Sequence, residues 1–324
     1  HFGSDNVFNE KGWLHILKNH AGKLPIEIKA VKEGTLVPTK NALITVVNTD
    51  PECFWLPGFL ETLILQVWYP TTVATNSYNM KQEILRYLVK SGDPNQIGFK
   101  LHDFGFRGST SVESSAIGGG AHLVNFLGTD TLSALEFLNL YYDEECAGFS
   151  IPATEHSTMT SWGKSQEKEA YQNMLEQFPN NMIAVVSDSY NIFNAIENIW
   201  GNELFDKVMG REGSLVIRPD SGYPPEIVVK CLELMAQKFG FSLNTKGYKV
   251  LNPKVRLIQG DGIDYNMICK IQEALDENKF SGDNISYGSG GGLLQKLNRD
   301  TFKFAIKCSA VEVDGEFRDV FKDP

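Results

Sequence analysis

Five polar clusters, each placed directly after an apolar run of strand length, carry the side chains that could do chemistry. They combine cations, carboxylates and glycines, a mixture able to hold a phosphorylated sugar. In parallel α/β sheets and barrels, ligands bind beyond the carboxyl ends of the strands. The repeated pattern therefore predicts that all five clusters surround one ligand-binding opening (the mouth) at that edge of the sheet. The segments are FKLHDFGFRG (99–108), IAVVSDSYN (183–191), SLVIRPDSG (214–222), VRLIQGDG (255–262) and NISYGSGGG (284–292).

The RPDSG and QGDG clusters offer charged groups suited to a sugar diphosphate. Arg218 and Asp220 are two residues apart at a strand end, so both side chains can face the mouth. An arginine can bind a diphosphate oxygen. An aspartate can accept hydrogen bonds from ribose hydroxyls or stabilise positive charge at an anomeric carbon. Gly260 and Asp261 offer a second carboxylate beside a backbone that a ligand can approach closely. A surface turn is the alternative for both clusters.

The GSGGG run at 288–292 differs from the common phosphate loops. It is not a P-loop, because Lys296 lies four residues beyond the last glycine and Leu297 follows it. It is not GxGxxG either, since Leu293 stands where the last glycine would be. Backbone amides around Gly290 and Gly291 could still form an anion nest at a helix start. A plain tight turn is the alternative.

Three histidines differ in their surroundings. His156 follows an apolar lead and lies among small polar residues, which makes it a candidate for catalysis rather than for packing in the core. His102 and His122 have apolar or aromatic neighbours, which favours structural roles. HExxH, a His/Cys ligand pair and GxSxG are all absent from the sequence, so zinc and serine hydrolysis have no support and no metal ligands are predicted.

Composition narrows the class of protein further. The 324 residues carry a net charge of −10, which speaks against a nucleic-acid partner. The five cysteines are widely spaced, which predicts reduced thiols that mostly serve packing. The longest apolar stretch is too short to span a membrane. We therefore expect a soluble, cytoplasmic protein with no membrane partner.

Periodicity predicts the elements that position the clusters. Residues 25–49 indicate a small β-sheet, and 57–91 indicate a pair of helices. Helical patterns follow the clusters: two prolines open the helix after RPDSG, Gly240 ends it, and Asp264 caps the helix after QGDG. The alternating tail TFKFAIKCSAVEV is expected to return to the small sheet. Residues 95–290 are expected to form the catalytic domain, and 1–94 with 291–324 a discontinuous smaller α+β domain.

Seven motifs taken together resemble the nicotinamide phosphoribosyltransferase family in their order and spacing, over essentially the whole chain. They are KLHDFGFRG, AHLVNFLGTDT, ATEHSTMTSWGK, VVSDSYN, IRPDSG, IQGDG and YGSGGGLLQKLNRD. The resemblance implies an incomplete α/β barrel of the type II phosphoribosyltransferase kind with a second, smaller β-rich domain. It also implies phosphoribosyl transfer from phosphoribosyl pyrophosphate to nicotinamide in NAD salvage, giving nicotinamide mononucleotide and diphosphate.

The same resemblance implies cofactors and partners. Mg²⁺ is expected as cofactor, and ATP as a stimulating co-substrate that phosphorylates a histidine. The family acts as a homodimer with its active site at the subunit interface, where an aromatic residue from the second subunit's amino-terminal part completes the ring sandwich. Family members extend beyond both ends of this sequence, so that residue and a carboxyl-terminal basic segment are expected outside it.

Roles at the ring and the diphosphate follow from the resemblance residue by residue. Phe104 is expected to stack on the pyridine ring, and Asp130 to bind the amide. Arg107 and Arg218 are expected to hold the diphosphate. His156 corresponds to the phosphorylated histidine.

The ribose and the 5′-phosphate are assigned in the same way. Asp220 is expected beside the ribose and the ring nitrogen, and Gly260 with Asp261 on the ribose. Gly291 and Arg299 are expected on the 5′-phosphate. Further substrate-binding positions are Asp188, Gly290 and Lys307.

Two other functions stay open at this stage. One is transfer to nicotinate instead of nicotinamide. The other is a secreted binding or signalling protein with a decayed site, which the intact clusters disfavour. Binding of phosphoribosyl pyrophosphate would separate the enzyme from the binding protein.

Overall fold

The computed structural model describes residues 7–323, which form two compact units. The larger unit is Tyr69–Thr301, and the smaller one combines 7–68 with 302–323. These limits differ from the expected domain limits at 94/95 and 290/291. The reason is a long helix whose residues Met80, Ile84 and Leu88 pack in the main hydrophobic core of the larger unit. This helix therefore belongs with the sheet.

The strands are β1 Ile26–Ala30, β2 Ile44–Asn48, β3 Leu101–Asp103, β4 Gly128–Thr129, β5 Ile183–Val186, β6 Leu215–Arg218, β7 Phe241–Leu243, β8 Lys249–Leu251, β9 Val255–Gln259, β10 Ile285–Ser289, β11 Ala310–Val313 and β12 Glu316–Asp319. The α-helices are α1 Glu10–Asn19, α2 Leu56–Ile64, α3 Trp68–Ser91, α4 Val112–His122, α5 Leu132–Tyr142, α6 His156–Thr160, α7 Glu167–Gln177, α8 Ile192–Asn194, α9 Phe205–Gly210, α10 Pro224–Phe239, α11 Tyr265–Glu277 and α12 Gly291–Leu294. A π-helix, Ala195–Glu203, connects α8 to α9.

A parallel sheet organises the larger unit. Within the described residues it has six strands in the order β4-β3-β10-β9-β6-β5, and every neighbouring pair is parallel. Strands β5 and β6 are buried along most of their length, as expected where helices cover a parallel sheet. Each predicted cluster follows one of β3, β5, β6, β9 and β10, so their polar ends lie at the same edge of the sheet. The predicted strand-then-cluster pattern is confirmed.

Local sequence explains where the covering helices begin and end. Helix α10 begins at Pro224, because the fixed φ angle of proline suits the first turn of a helix. Gly240 directly follows α10 and has a φ of +82°, a conformation that favours glycine. Asp264 caps α11 by accepting from the backbone N–H of Met267 at 2.9 Å. Ile268, Ile271 and Leu275 on the inner face of α11 are buried. All these predicted boundaries are confirmed.

The smaller unit contains two separate hairpins. Strands β1 and β2 pair antiparallel, which confirms the small sheet predicted for 25–49. The prediction that the tail returns to that sheet is wrong, because β11 pairs with β12 instead. Asp314 and Gly315 both have positive φ, at 55° and 82°, which is the geometry of a tight hairpin turn. The tail therefore satisfies its hydrogen bonds locally.

Membrane insertion by a helix finds no support in residues 7–323. Even the longest helices there lack the continuous apolar length that a bilayer crossing requires.

Candidate active site

The candidate site is built at the carboxyl ends of neighbouring strands of the larger unit. Arg218 is the last residue of β6 and pairs in register with Val186, the last residue of β5, so Asp188 follows two positions beyond that pair. Asp103 ends β3 beside Ser289 of β10, and Phe104 comes next. The strands therefore deliver an aromatic ring, a cation and a carboxylate to the same edge.

Two carboxylates flank the imidazole of His156. Its Nε2 lies 3.0 Å from Asp188 Oδ1, and its Nδ1 lies 3.8 Å from Asp220 Oδ2. Asp188 Oδ2 accepts from the backbone N–H of Asp220 at 2.9 Å and from the hydroxyl of Ser221 at 2.6 Å. Asp188 thus joins the loop after β5, the loop after β6 and the start of α6. The contact at Nε2 leaves Nδ1 as the nitrogen available for chemistry.

Arg218 connects this polar group to the aromatic ring. Its Nη2 donates to Asp220 Oδ1 at 2.8 Å, and its guanidinium carbon lies 5.0 Å from the centre of the Phe104 ring. The arginine and aspartate side chains are 18% and 19% exposed, so the pair is half-buried rather than part of a surface turn. A guanidinium held against a ring and a carboxylate keeps further donors for an anion.

Two glycines leave the space that the Phe104 ring occupies. A Cβ at Gly288 would come within 2.0 Å of the Phe104 ring, and one at Gly260 would lie 3.2 Å from the same ring. The sheet beneath is apolar: Ala184, Val216 and Ile258 form a buried cluster against which Phe104 packs. Gly288 and Gly260 therefore make room for the ring, and the ribose contact expected of Gly260 stays a prediction.

Asp130 lies in a second polar group beside the ring. Its Oδ1 accepts from His102 Nε2 at 2.8 Å and from the Ser150 hydroxyl at 2.5 Å, and the His102 ring centre is 5.1 Å from that of Phe104. Burial acts to raise the pKa of Asp130, but the hydrogen bonds from His102 and Ser150 and the charge of Arg218 outweigh it and hold that pKa below its ordinary value. Asp130 is therefore a carboxylate at neutral pH.

A capping role for Asp130 does not fit the structure. The residue that precedes α5 is Thr131, and no side chain there bonds the first turn of the helix. The Asp130 side chain is directed to His102 and Ser150 instead. Its position is thus compatible with ligand recognition.

The remaining predicted residues are divided between the larger and the smaller unit. Arg107 is exposed in the 3₁₀ turn Phe106–Gly108 that follows Phe104, and Asp261 is exposed after β9. Gly290 lies against the backbone of Phe104, and Gly291, which begins α12, has open space at its Cβ position. Arg299 forms an ion pair with Asp300 at 2.8 Å. Lys307 belongs to the smaller unit, and its phosphate contact stays a prediction.

His102 is the residue that sequence reasoning missed. A structural role was expected for it, yet it contacts both Asp130 and Phe104. The signal was present in the two-residue period of a strand, because His102 and Phe104 share one face of the β3 segment. His122, in contrast, has the predicted structural role: it is buried, its Nδ1 lies 2.9 Å from the Ser77 hydroxyl, and burial lowers its pKa to about 3.

The nicotinate phosphoribosyltransferase (NAPRTase) family model matches residues 99–324, a range that includes all five clusters and every residue of this site. The chain belongs to this family. A model of the amino-terminal domain of nicotinamide phosphoribosyltransferase also matches residues 1–28. Both matches confirm the family resemblance predicted from the motifs, and with it the predicted enzyme class, a transferase of phosphoribosyl groups.

Individual relatives agree with the family assignment. A nicotinamide phosphoribosyltransferase from Xanthomonas campestris pv. campestris is 53% identical over 98% of this chain and 68% of its own length. Another from Acinetobacter baylyi is 32% identical over 94% of this chain and 64% of its own length. The chain therefore spans about two thirds of the length of these relatives.

A solved structure supports the fold. The nicotinate-nucleotide pyrophosphorylase from Pyrococcus furiosus superposes with a TM-score of 0.53 over 84% of this chain and 58% of its own, at 14% identity. At that identity the likeness concerns the fold alone. Together with the parallel sheet, it confirms the predicted α/β architecture, an incomplete barrel accompanied by a smaller β-rich region.

Proposed function

We propose that this protein transfers a phosphoribosyl group from phosphoribosyl pyrophosphate to nicotinamide, giving nicotinamide mononucleotide and diphosphate in NAD salvage. The observation that carries the choice of base is the charged Asp130 carboxylate near the Phe104 ring. An aromatic ring can stack on a pyridine, and a carboxylate can accept from an amide NH₂. The same carboxylate repels the negative group of nicotinate.

Arg218 and Asp220 suit the bond that breaks. Displacing diphosphate from the ribose passes through a state with positive charge at the anomeric carbon, while negative charge builds on the leaving group. The guanidinium of Arg218 can stabilise the departing diphosphate, and Asp220 can stabilise the sugar. The two side chains form an ion pair at 2.8 Å. Substrate binding would replace that internal pair with contacts to the diphosphate and the ribose.

The residues present fit Mg²⁺ carried by the substrate. Mg²⁺ in such sites keeps several waters and binds one or two carboxylates together with substrate phosphates. Both oxygens of Asp188 are engaged in hydrogen bonds, whereas Asp220 pairs with Arg218 through Oδ1 and Asp261 is exposed after β9. When bound, the ion would neutralise charge on the diphosphate. Asp220 and Asp261 are the side chains that would hold it.

We extend the proposal to stimulation by ATP through His156. The Nε2 atom is hydrogen-bonded to Asp188, which leaves Nδ1 to form a bond to the γ-phosphorus as the bond to ADP breaks. Hydrolysis of that phosphohistidine would return the free imidazole. The side chain is 44% exposed, so a phosphoryl donor can reach it.

We also propose a cytoplasmic homodimer. In the larger unit, helix α5 exposes Leu132, Leu140 and Tyr141 by 69–71%, an apolar surface of the kind that a second subunit covers. The second subunit is the expected source of the aromatic residue that completes the ring sandwich. The cysteines of the described chain are free thiols, which suits a reducing compartment.

The experiment compares the base preference of the complete gene product with that of Asp130→Asn and Asp130→Ser. Both variants remove the charge but keep a polar side chain. The ratio of kcat/KM for nicotinamide over nicotinate should fall at least about tenfold in both, equivalent to about 1.4 kcal/mol. His122→Gln, changed in a buried structural histidine, is the matched control for nonspecific effects. An unchanged ratio in both Asp130 variants would remove Asp130 as the selector of the base.

A further inference from the structure

The smaller unit contains a cluster of metal-ligating side chains that the transferase reaction does not use. The Nε2 atoms of His15 and His20 both lie 2.7 Å from Oδ2 of Asp50. The Sγ atom of Cys53 lies close by, and the ligand atoms of His15, Asp50 and Cys53 are all within 4.8 Å of one another. One nitrogen, one oxygen and one sulfur ligand atom thus lie close enough together to share a metal ion.

We propose that the side chains of His15, Asp50 and Cys53 bind a Zn²⁺ ion. Zinc takes imidazole, carboxylate and thiolate ligands in tetrahedral sites, with bonds of about 2.0–2.3 Å. Such bonds place neighbouring ligand atoms roughly 3.3–3.6 Å apart. The ligand atoms of His15, Asp50 and Cys53 lie within 4.8 Å of one another, so small side-chain adjustments would bring these three to that geometry. Oxygen-only ions such as Mg²⁺ do not suit the thiol and the imidazoles.

The backbone holds these ligands in place before any ion arrives. His15 lies on α1, and His20 directly follows the helix end. Asp50 caps the 3₁₀ turn Pro51–Cys53 by accepting from the backbone N–H of Glu52 at 2.9 Å. Cys53 is fully buried in the small core with Ile16. The ligands therefore come from two elements that already pack together.

Neighbouring polar groups resemble the outer shell of a zinc site. The amide nitrogen of Asn19 lies 2.8 Å from Nδ1 of His15. Rotation of the amide on zinc binding would turn its oxygen to accept the Nδ1 proton and leave Nε2 for the metal. Asn48 donates to the backbone carbonyl of Asp50 at 2.9 Å. The side chains of His15, His20 and Asp50 are 17–30% exposed, which gives an ion a path from solvent. Bound zinc would tie α1 to the turn after β2.

The test is a Zn²⁺ titration of the metal-free complete gene product against a chromogenic chelator, with Co²⁺ as a spectroscopic probe. We expect one Zn²⁺ per chain, a rise in Tm on binding, and tetrahedral Co²⁺ absorption with a thiolate charge-transfer band. His15→Gln should weaken Zn²⁺ binding at least about tenfold, and Cys53→Ser should remove the charge-transfer band.

Matched controls keep the outcome clear. Cys146→Ser changes an exposed thiol elsewhere and should leave zinc affinity and the cobalt spectrum unchanged. Because Cys53 is buried, its variant can disturb the core, so the half-exposed His15→Gln provides the independent test. Zinc binding that persists unweakened in His15→Gln, or a cobalt spectrum without a Cys53-dependent band, would overturn the proposal. So would the absence of stoichiometric Zn²⁺ binding by the wild type.

Discussion

The Nε2 atom of His156 lies 3.0 Å from Oδ1 of Asp188, and the two side chains differ sharply in exposure, at 44% and 4%. The buried carboxylate is fixed by the backbone of Asp220 and the hydroxyl of Ser221. A carboxylate in that position sets which imidazole nitrogen carries the proton, and so which nitrogen can react. The geometry therefore separates an anchoring residue from a reacting one.

His156→Ala should abolish acid-labile phosphorylation from radiolabelled ATP, because it removes the nitrogen that we propose as the phosphate acceptor. Asp188→Asn should lower that labelling at least tenfold, since the amide cannot both orient the imidazole and accept from the loop after β6. Ser221→Ala removes only one contact to Asp188 and is the control, with a smaller loss expected. Undiminished labelling of His156→Ala would move the phosphorylation site elsewhere in the chain.

Arg218→Ala should reduce kcat/KM for phosphoribosyl transfer by roughly 30-fold or more, because the diphosphate loses its guanidinium partner. Steady-state kinetics with varied phosphoribosyl pyrophosphate measures this effect. Arg218→Lys keeps the charge but loses the planar fork, so an intermediate loss is expected. Kinetics close to wild type in Arg218→Ala would refute the role in diphosphate stabilisation.

Gly288→Ala should raise the KM for nicotinamide and lower the Tm. The added Cβ would lie 2.0 Å from the Phe104 ring, so the ring must move from its present position. Gly210→Ala is the matched control, because a Cβ there has open space and the change lies at the end of α9. Equal Tm and KM values in the two variants would show that a side chain at position 288 is tolerated beside the Phe104 ring.

Lys100 predicts a pH dependence of stability. Its ammonium is buried and donates to the carbonyls of Gly282 and Ile285 at 2.9 and 3.0 Å, and desolvation lowers its pKa to about 8. Between pH 8 and the ordinary lysine pKa near 10.4, the unfolded chain binds more protons at this position than the folded one. The contribution of Lys100 to the free energy of unfolding should therefore rise with pH across that window.

The measurement is denaturant unfolding at several pH values between about 7.5 and 10.5, compared with Lys100→Met. The wild type should gain stability relative to the variant as pH increases. Lys230→Met, at an exposed ion pair on α10, is the control and should show no such relative gain. A difference between wild type and Lys100→Met that stays constant with pH would contradict the lowered pKa.

The parallel sheet was predictable because five of its six strands lie in largely apolar segments that end in a polar cluster. Strand β4 is only two residues long, which is too short to leave a periodic signal. The π-helix Ala195–Glu203 was not predicted either, since its sequence has an ordinary helical pattern and only tertiary packing can select the wider turn. Prediction from sequence was therefore strong for the strands and weak for short or irregular elements.

The candidate site shows the same division. Arg218 and Asp220 were readable from the sequence because they lie at a strand end, and His156, which begins α6, was a candidate because of its small polar neighbours. The partnership of Asp130 with His102 was not, since it depends on residues 28 apart in sequence meeting across β3 and β4. Likewise, the steric need for Gly288 appears only once the Phe104 ring is in place.

The most direct test of the proposed function is a product assay on the complete gene product. Phosphoribosyl pyrophosphate and Mg²⁺ are supplied with nicotinamide or nicotinate in parallel, and the nucleotide product is separated and identified. We expect nicotinamide mononucleotide with release of an equal amount of diphosphate, and much less product from nicotinate. Preferential formation of nicotinate mononucleotide, or no base-dependent release of diphosphate, would contradict it.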